Sequence, residues 1–220
     1  MSGFDTATAD ARCAALDAIF DRACIVPVLT IASLDDAEPL ARTLVDAGLP
    51  VLEVTLRTPI ALQAIERMRN VPGAIVGAGT VLDARDLDAV SRAGASFAIS
   101  PGATPALLRA AADLAVPLLP GIATASELMA ARDMGYRRFK FFPAESSGGV
   151  AALRGFAGPF ADARFCPTGG IDAAKAPAYL SLHNVLAVGG SWMVPAHAVH
   201  ARDWAAIHAL ASDAASLRRA

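Results

Sequence analysis

The chain reads as an α/β protein, a (β/α)8 TIM barrel of parallel strands with an extra N-terminal helix. Three observations predict it. Eight short runs of apolar and β-branched residues begin about 20 to 26 residues apart, the cadence of repeated strand–helix units. Each run is followed by an alanine-rich stretch that opens on a helix-start signal. The fingerprint of the rival open sheet is missing, because Gly77-Ala78-Gly79 runs into Thr80-Val81-Leu82 without a third glycine. A closed ring of eight strands also leaves no unpaired sheet edge.

The elements follow in order. Residues Ala7 to Asp21 form the extra helix, with Leu16, Ile19 and Phe20 on one side, placed to plug the lower end of the barrel. Strands are predicted at Ile25–Thr30, Val51–Leu56, Ala74–Val76, Phe97–Ile99, Pro117–Leu119, Phe139–Phe142, Arg164–Cys166 and Val185–Val188. Ser33 with Asp35 and Asp36 opens the first crossover helix. Thr58-Pro59 and Thr104-Pro105 each place a capping hydroxyl before a proline suited to the first helical position. Thr124-Ala125-Ser126-Glu127 is a capping box. No Pro/Gly/Ser-rich linker divides the 220 residues, so one barrel domain over 1–220 is expected.

Composition narrows the function. Hydrophobic residues make up 55% of the chain and charged residues 18%, with a net charge of −2. That balance suits a large continuous core and points away from nucleic acid and from acidic membrane surfaces. The pairs Arg137-Arg138 and Arg218-Arg219 are too short to act as basic patches. Met1-Ser2-Gly3-Phe4-Asp5 lacks the basic flank of a signal peptide, and the apolar segment Leu114 to Ala123 is cut by Pro117 and Pro120. Cys13, Cys24 and Cys166 have no metal-type spacing and read as core residues of a reduced, cytoplasmic protein. His197-Ala198-Val199-His200 has metal-like spacing, but no acidic residue of the pocket strands pairs with it, so no metal is expected.

The chain has only two lysines, and Lys140 lies inside an apolar strand, Phe139-Lys140-Phe141-Phe142. A buried ammonium needs a partner or gives up its proton. At an ordinary pKa of about 10.4, roughly one lysine in 2,500 is a free amine at pH 7. Lowering it to about 7–8 would make a tenth to a half of it nucleophilic. Strand alternation puts Glu53, Thr55 and Arg57 on one face and Lys140 with Phe142 on another inward face. A barrel therefore gathers Glu53, Arg57 and Lys140 at its C-terminal mouth, a constellation suited to imine chemistry with Glu53 as proton shuttle and Arg57 as carboxylate clamp. A purely structural Lys–Glu ion pair and a helix-capping Arg57 are the plainer alternatives. Glu145 is a rival base that falls beyond the strand and reads as a loop contact, and Lys175 reads as an ordinary solvated lysine. Glycine pairs after the last two strands, Gly169-Gly170 and Gly189-Gly190 with Ser191, suit a backbone cradle for phosphate.

Six segments carry a resemblance. They are Leu52 to Thr58, Gly77 to Thr80, Ile99 to Gly102, Phe139 to Glu145, Cys166 to Gly170 and Gly189 to Trp192, in register from about Ile25 to Pro195. Together they closely resemble the 2-dehydro-3-deoxy-phosphogluconate aldolases of the KDPG/KHG aldolase family. The resemblance implies a class I, Schiff-base aldolase on a (β/α)8 barrel, commonly a homotrimer, acting without cofactor in the Entner–Doudoroff route. It implies cleavage of 2-dehydro-3-deoxy-6-phosphogluconate to pyruvate and glyceraldehyde 3-phosphate. Position by position, it makes Lys140 the imine-forming lysine and Glu53 the proton-transfer carboxylate. Arg57 and Thr80 then match the positions holding the pyruvate carboxylate, Pro101 and Phe142 the pocket wall, and Gly169, Gly170, Gly190 and Ser191 the far, phosphate-bearing end, with Thr168 a further substrate-binding position. A sibling aldolase for 4-hydroxy-2-oxoglutarate or the galactonate epimer, a non-catalytic sugar-phosphate-binding barrel and a metal-dependent aldolase are the competing readings. Relative substrate turnover, ligand binding left intact by Lys140→Ala with no cleavage to lose, and loss of activity with chelator respectively separate them.

Overall fold

The computed structural model describes residues 6–112 and 114–217; the first five residues and the Arg218-Arg219 pair lie outside it. Nine strands appear in chain order: β1 (Ile25–Leu29), β2 (Val51–Thr55), β3 (Ile75–Gly79), β4 (Ala98–Ile99), β5 (Leu118–Leu119), β6 (Gly121–Ile122), β7 (Arg138–Phe141), β8 (Arg164–Pro167) and β9 (Val188–Gly190). The helices are α1 (Thr6–Phe20), α2 (Leu34–Asp46), α3 (Ala61–Met68), α4 (Ala84–Arg92), α5 (Pro105–Ala112), α6 (Ala125–Arg132), α7 (Gly149–Ala157), α8 (Ala176–Leu180), α9 (Ala196–His200) and α10 (Trp204–Ser216).

All strand pairs are parallel, in the order β5-β4-β3-β2-β1-β9 and β6-β7-β8. β5 and β6 are one strand divided at Pro120, which has no N–H to give the ladder. Its first half pairs with β4, and Pro120 O accepts the Lys140 N–H at 2.9 Å on the other side. Bridges Phe165–Val185 and Thr168–Gly189 join β8 to β9, and β9 pairs with β1, which closes the eight-strand ring. The expected strand Val185–Val188 is thus displaced. Its start touches only β8, and its regular part continues to Gly190 along β1. β3 likewise runs on through Gly77 and Gly79, where a side chain would strike the Phe97 ring or the Glu53 carboxylate.

Alternation sorts the core into two layers. Leu52, Val54, Phe139, Phe141 and Phe165 face the surrounding helices. Val26, Val51, Phe97, Ile99, Leu119 and Cys166 face the inside of the ring. Leu16 and Phe20 of α1 join that inner layer, with Phe20 edge-on to Phe97 at 5.6 Å, so α1 closes the barrel floor as the sequence predicts.

Most helix starts follow their signals. Ser33 Oγ accepts the Asp35 N–H, Thr104 Oγ1 accepts the Leu107 N–H, and Thr124 with Glu127 forms the full capping box. Thr58 departs from expectation. α3 starts at Ala61, and the Thr58 hydroxyl donates to Ile31 O at 2.8 Å, tying the β2 loop to the β1 loop instead of capping a helix. Of the three cysteines only Cys166 is a core residue; Cys13 and Cys24 are partly exposed.

Candidate active site

The ring brings Glu53 and Lys140 together from strands that are 87 residues apart in sequence. Lys140 pairs with Gly121 on one side and Cys166 on the other, and its Nζ donates to Glu53 Oε1 at 2.9 Å. The two residues are 5% and 1% exposed. Space for this pair is made by glycines. A Cβ on Gly79 would stand 2.2 Å from Glu53 Oε1, and a Cβ on Gly121 would stand 2.3 Å from the Pro101 carbonyl carbon. Pro101 is thereby stacked against the strand residue in register with Lys140. The Phe142 ring centroid lies 5.2 Å from Nζ, a cation–π contact from the first residue past the end of the same strand.

Below the pair lies the Cys166 thiol, pushed up to about 12, first by burial and then by the Glu53 charge, with Lys140 pulling the other way. It stays a neutral thiol beneath the amine across the whole physiological range. Thr168 Oγ1 is buried against that thiol and makes no hydrogen bond of normal geometry among the described residues. Thr55, on the inward face of β2, donates from Oγ1 to Leu29 O at 2.8 Å and meets Thr30 Oγ1 at 3.1 Å. Its position was legible from alternation, but no signal assigned it a role.

The rest of the predicted set rings the mouth. Arg57 does not share the strand face of Glu53, since β2 ends at Thr55 and Arg57 stands exposed in the following turn. It has no hydrogen-bond or ion-pair partner among the described residues. Thr80 directly follows β3 at φ 62°, a left-handed backbone unusual for a β-branched residue. Gly169 and Gly170 turn at φ 105° and 77° after β8, with Gly169 against the Phe142 ring and Gly170 against the Glu145 side chain. Gly190 belongs to strand β9, where a Cβ would collide with the Trp192 ring, and Ser191 is exposed just beyond it.

Two residues behave otherwise than predicted or sharpen the prediction. Lys175 is exposed, as expected, but it is not without partners: its Nζ donates to Gly170 O at 3.0 Å and pairs with Glu145 Oε2 at 2.7 Å. Glu145 also accepts the Tyr179 hydroxyl, so it is a loop contact and not a rival to Glu53. Those bonds hold the Glu145 carboxyl below its ordinary value and raise Lys175 above its own. Among the described residues no group of three His, Cys, Asp or Glu side chains is arranged to hold a metal ion.

The sequence pattern of KDPG and KHG aldolases matches residues 16–210. The chain belongs to that family. It is an aldolase, a carbon–carbon lyase, on the parallel barrel predicted from its sequence. It is 54% identical over 191 residues to the KHG/KDPG aldolase of Escherichia coli K12, covering 86% of this chain and 90% of that one. The crystal structure of the Zymomonas mobilis ZM4 2-keto-3-deoxy-6-phosphogluconate aldolase with 3-phosphoglycerate superposes at a TM-score of 0.90 and 51% identity, covering 93% of this aldolase and 97% of that one. The KDPG aldolase of Legionella pneumophila, solved with pyruvate captured as a covalent carbinolamine, superposes at 0.89 with 46% identity over 91% and 98% of the two chains.

Proposed function

We propose that this aldolase cleaves 2-dehydro-3-deoxy-6-phosphogluconate to pyruvate and D-glyceraldehyde 3-phosphate through an imine on Lys140. The observation that carries the reading is the buried 2.9 Å contact between Lys140 Nζ and Glu53 Oε1. Proton transfer along that bond leaves a neutral amine, which attacks the C2 keto group and gives a carbinolamine. Glu53 then returns a proton to the departing hydroxyl, and water leaves as the protonated imine forms. The iminium draws in the electrons of the C3–C4 bond, while Glu53, again a carboxylate, takes the proton of the C4 hydroxyl and the aldehyde leaves. Protonation of the remaining enamine at C3 and hydrolysis release pyruvate and restore the amine.

Arg57, exposed and uncommitted, and Thr80 hold the pyruvate carboxylate in this scheme, while Pro101 and Phe142 form the wall beside it. Thr168, Gly169, Gly170, Gly190 and Ser191 bind the end that bears phosphate, which fixes the scissile bond relative to Nζ. The covalent pyruvate in the Legionella enzyme supports the same order of events here. Reduction with borohydride in the presence of pyruvate tests the scheme. A mass increase on the peptide containing Lys140 is expected, and its absence would rule the imine out.

The doubly named Escherichia coli relative favours 4-hydroxy-2-oxoglutarate as a second substrate of the same imine. Turnover of both keto acids by one preparation, with pyruvate detected, measures the balance. A homotrimer in the cytoplasm is the proposed state, supported by family likeness. Sedimentation at micromolar concentration checks the assembly. No helix among the described residues is long and apolar enough to cross a membrane.

A further inference from the structure

Three successive carbonyls in the loop after β8 accept hydrogen bonds from one side. Thr168 O accepts the Ala144 N–H at 2.8 Å, and Gly169 O accepts the Glu145 N–H at 3.1 Å. Gly170 O accepts Lys175 Nζ at 3.0 Å. In a trans peptide the N–H points opposite to the C=O of the same plane. The N–H groups of Gly169, Gly170 and Ile171 are therefore turned away from that bonded side; that of Gly169 faces Gly189 O through the Thr168–Gly189 bridge, and those of Gly170 and Ile171 donate to no acceptor among the described residues. Positive φ at both glycines breaks the normal alternation and leaves the amides of Gly170 and Ile171 uncommitted beyond the bridge.

The three planes are not held equally. Backbone amides of the turn after β7 fix the first two. The third has only the Lys175 side chain, and Gly170 has no side chain of its own to resist rotation of that plane. Lys175 is in turn fixed by Glu145, whose other oxygen accepts the Tyr179 hydroxyl from α8. Its backbone N–H is anchored to Asp172 Oδ1 at 3.0 Å.

We propose that Lys175 is a positioning residue for the phosphate end of the substrate. By holding Gly170 O it keeps the Ile171 N–H aimed as a second donor beside that of Gly170, and Glu145 with Tyr179 holds Lys175 in place. This rests on the reading that the phosphate binds at the Gly169-Gly170 loop. The ammonium does not meet the anion itself. Its charge is matched by Glu145, and its contribution is the orientation of a peptide plane.

The test compares 2-dehydro-3-deoxy-6-phosphogluconate with its unphosphorylated form in the wild-type enzyme, Lys175→Met, Lys175→Arg and Tyr179→Phe. Wild type should prefer the phosphorylated substrate. Lys175→Met should cut that preference roughly 5-fold, through KM and not kcat, the scale of one oriented hydrogen bond. Lys175→Arg, which keeps a donor and a cation, should restore most of it, and Tyr179→Phe should weaken it in the same direction by less. A Lys175→Met enzyme with the preference intact, or one that loses both substrates alike, overturns the proposal. A wild-type enzyme indifferent to the phosphate removes the glycine-loop reading, and the proposal with it, before any variant is compared.

Discussion

The floor and the mouth of this barrel are built by the same rule and end up chemically opposite. In both, every second strand residue points inward. At the floor those positions are Val26, Val51, Phe97 and Leu119, sealed by Leu16 and Phe20 of α1. Above them, on the inward faces, they are Glu53, Thr55, Lys140 and Thr168, all buried. The floor is stabilised by removal of apolar surface from water. The mouth spends part of that stability to keep an amine and a carboxylate in contact where bulk water does not reach them. A single helix plug thus lets one ring of strands hold an apolar base and a polar, reactive layer above it.

The largest effect should come from breaking the mouth alone. Lys140→Met is expected to lower kcat by at least about 10^4-fold, as loss of a nucleophile does. The double variant Lys140→Met/Glu53→Leu should be equally inactive yet fold at least as stably as the wild type, since a buried ion pair replaced by apolar residues is often neutral or stabilising. Thermal melting decides this, and a double variant well below wild type would show that the pair is structural after all.

Breaking the floor should do the reverse. Phe20→Ala removes a fully buried ring packed on Phe97, at a cost of about 3–5 kcal/mol in urea unfolding. The molecules that remain folded should keep wild-type kcat, because the Phe20 ring packs on Phe97 and no hydrogen bond or ion pair among the described residues joins α1 to Lys140 or Glu53. A large fall in kcat would mean that the two layers are coupled. Gly79→Ala probes the boundary between strand packing and chemistry. The added methyl must displace the Glu53 carboxylate, and a misplacement near 1 Å costs about 100-fold in rate. Steady-state kcat measured beside the melting temperature separates that loss from unfolding.

The smallest effect is alkaline. Cys166 sits where the layers meet, with its folded pKa raised from 9.0 to about 12. Between those values the unfolded chain has lost the thiol proton and the folded chain has kept it. Stability is therefore full below 9 and falls as pH rises through the window. Cys166→Val should give a shallower decline in urea midpoint between about pH 8 and pH 10.5. Parallel declines for the two proteins would remove Cys166 as a cause.

The sequence was most legible where a short-range rule fixes the outcome. The capping box at Thr124 and Glu127 formed because both partners lie within one turn. The floor-plugging side of α1 was readable from Leu16 and Phe20. The pairing of Glu53 with Lys140 was legible only through the barrel, since alternation gives the face and ring closure gives the neighbour. The failures occurred where a distant group outbid a local one. Thr58 carries a capping signature, yet its hydroxyl goes to Ile31 O. Lys175 looks like a surface lysine beside Asp172, yet Gly170 O and Glu145 claim it. Tyr179 carried no signal at all, being one aromatic in a short helix.

By itself the amino-acid order determined the strand cadence, the inward face of each strand and the presence of one lysine among aromatics, because these depend on a two-residue or a helical period. Tertiary structure alone decided that Glu53 Oε1 meets that lysine at 2.9 Å, that Arg57 leaves its strand, and that three carbonyls after β8 turn the same way. Those outcomes depend on which atoms ring closure brings within hydrogen-bond reach, and a periodic pattern contains no such distances.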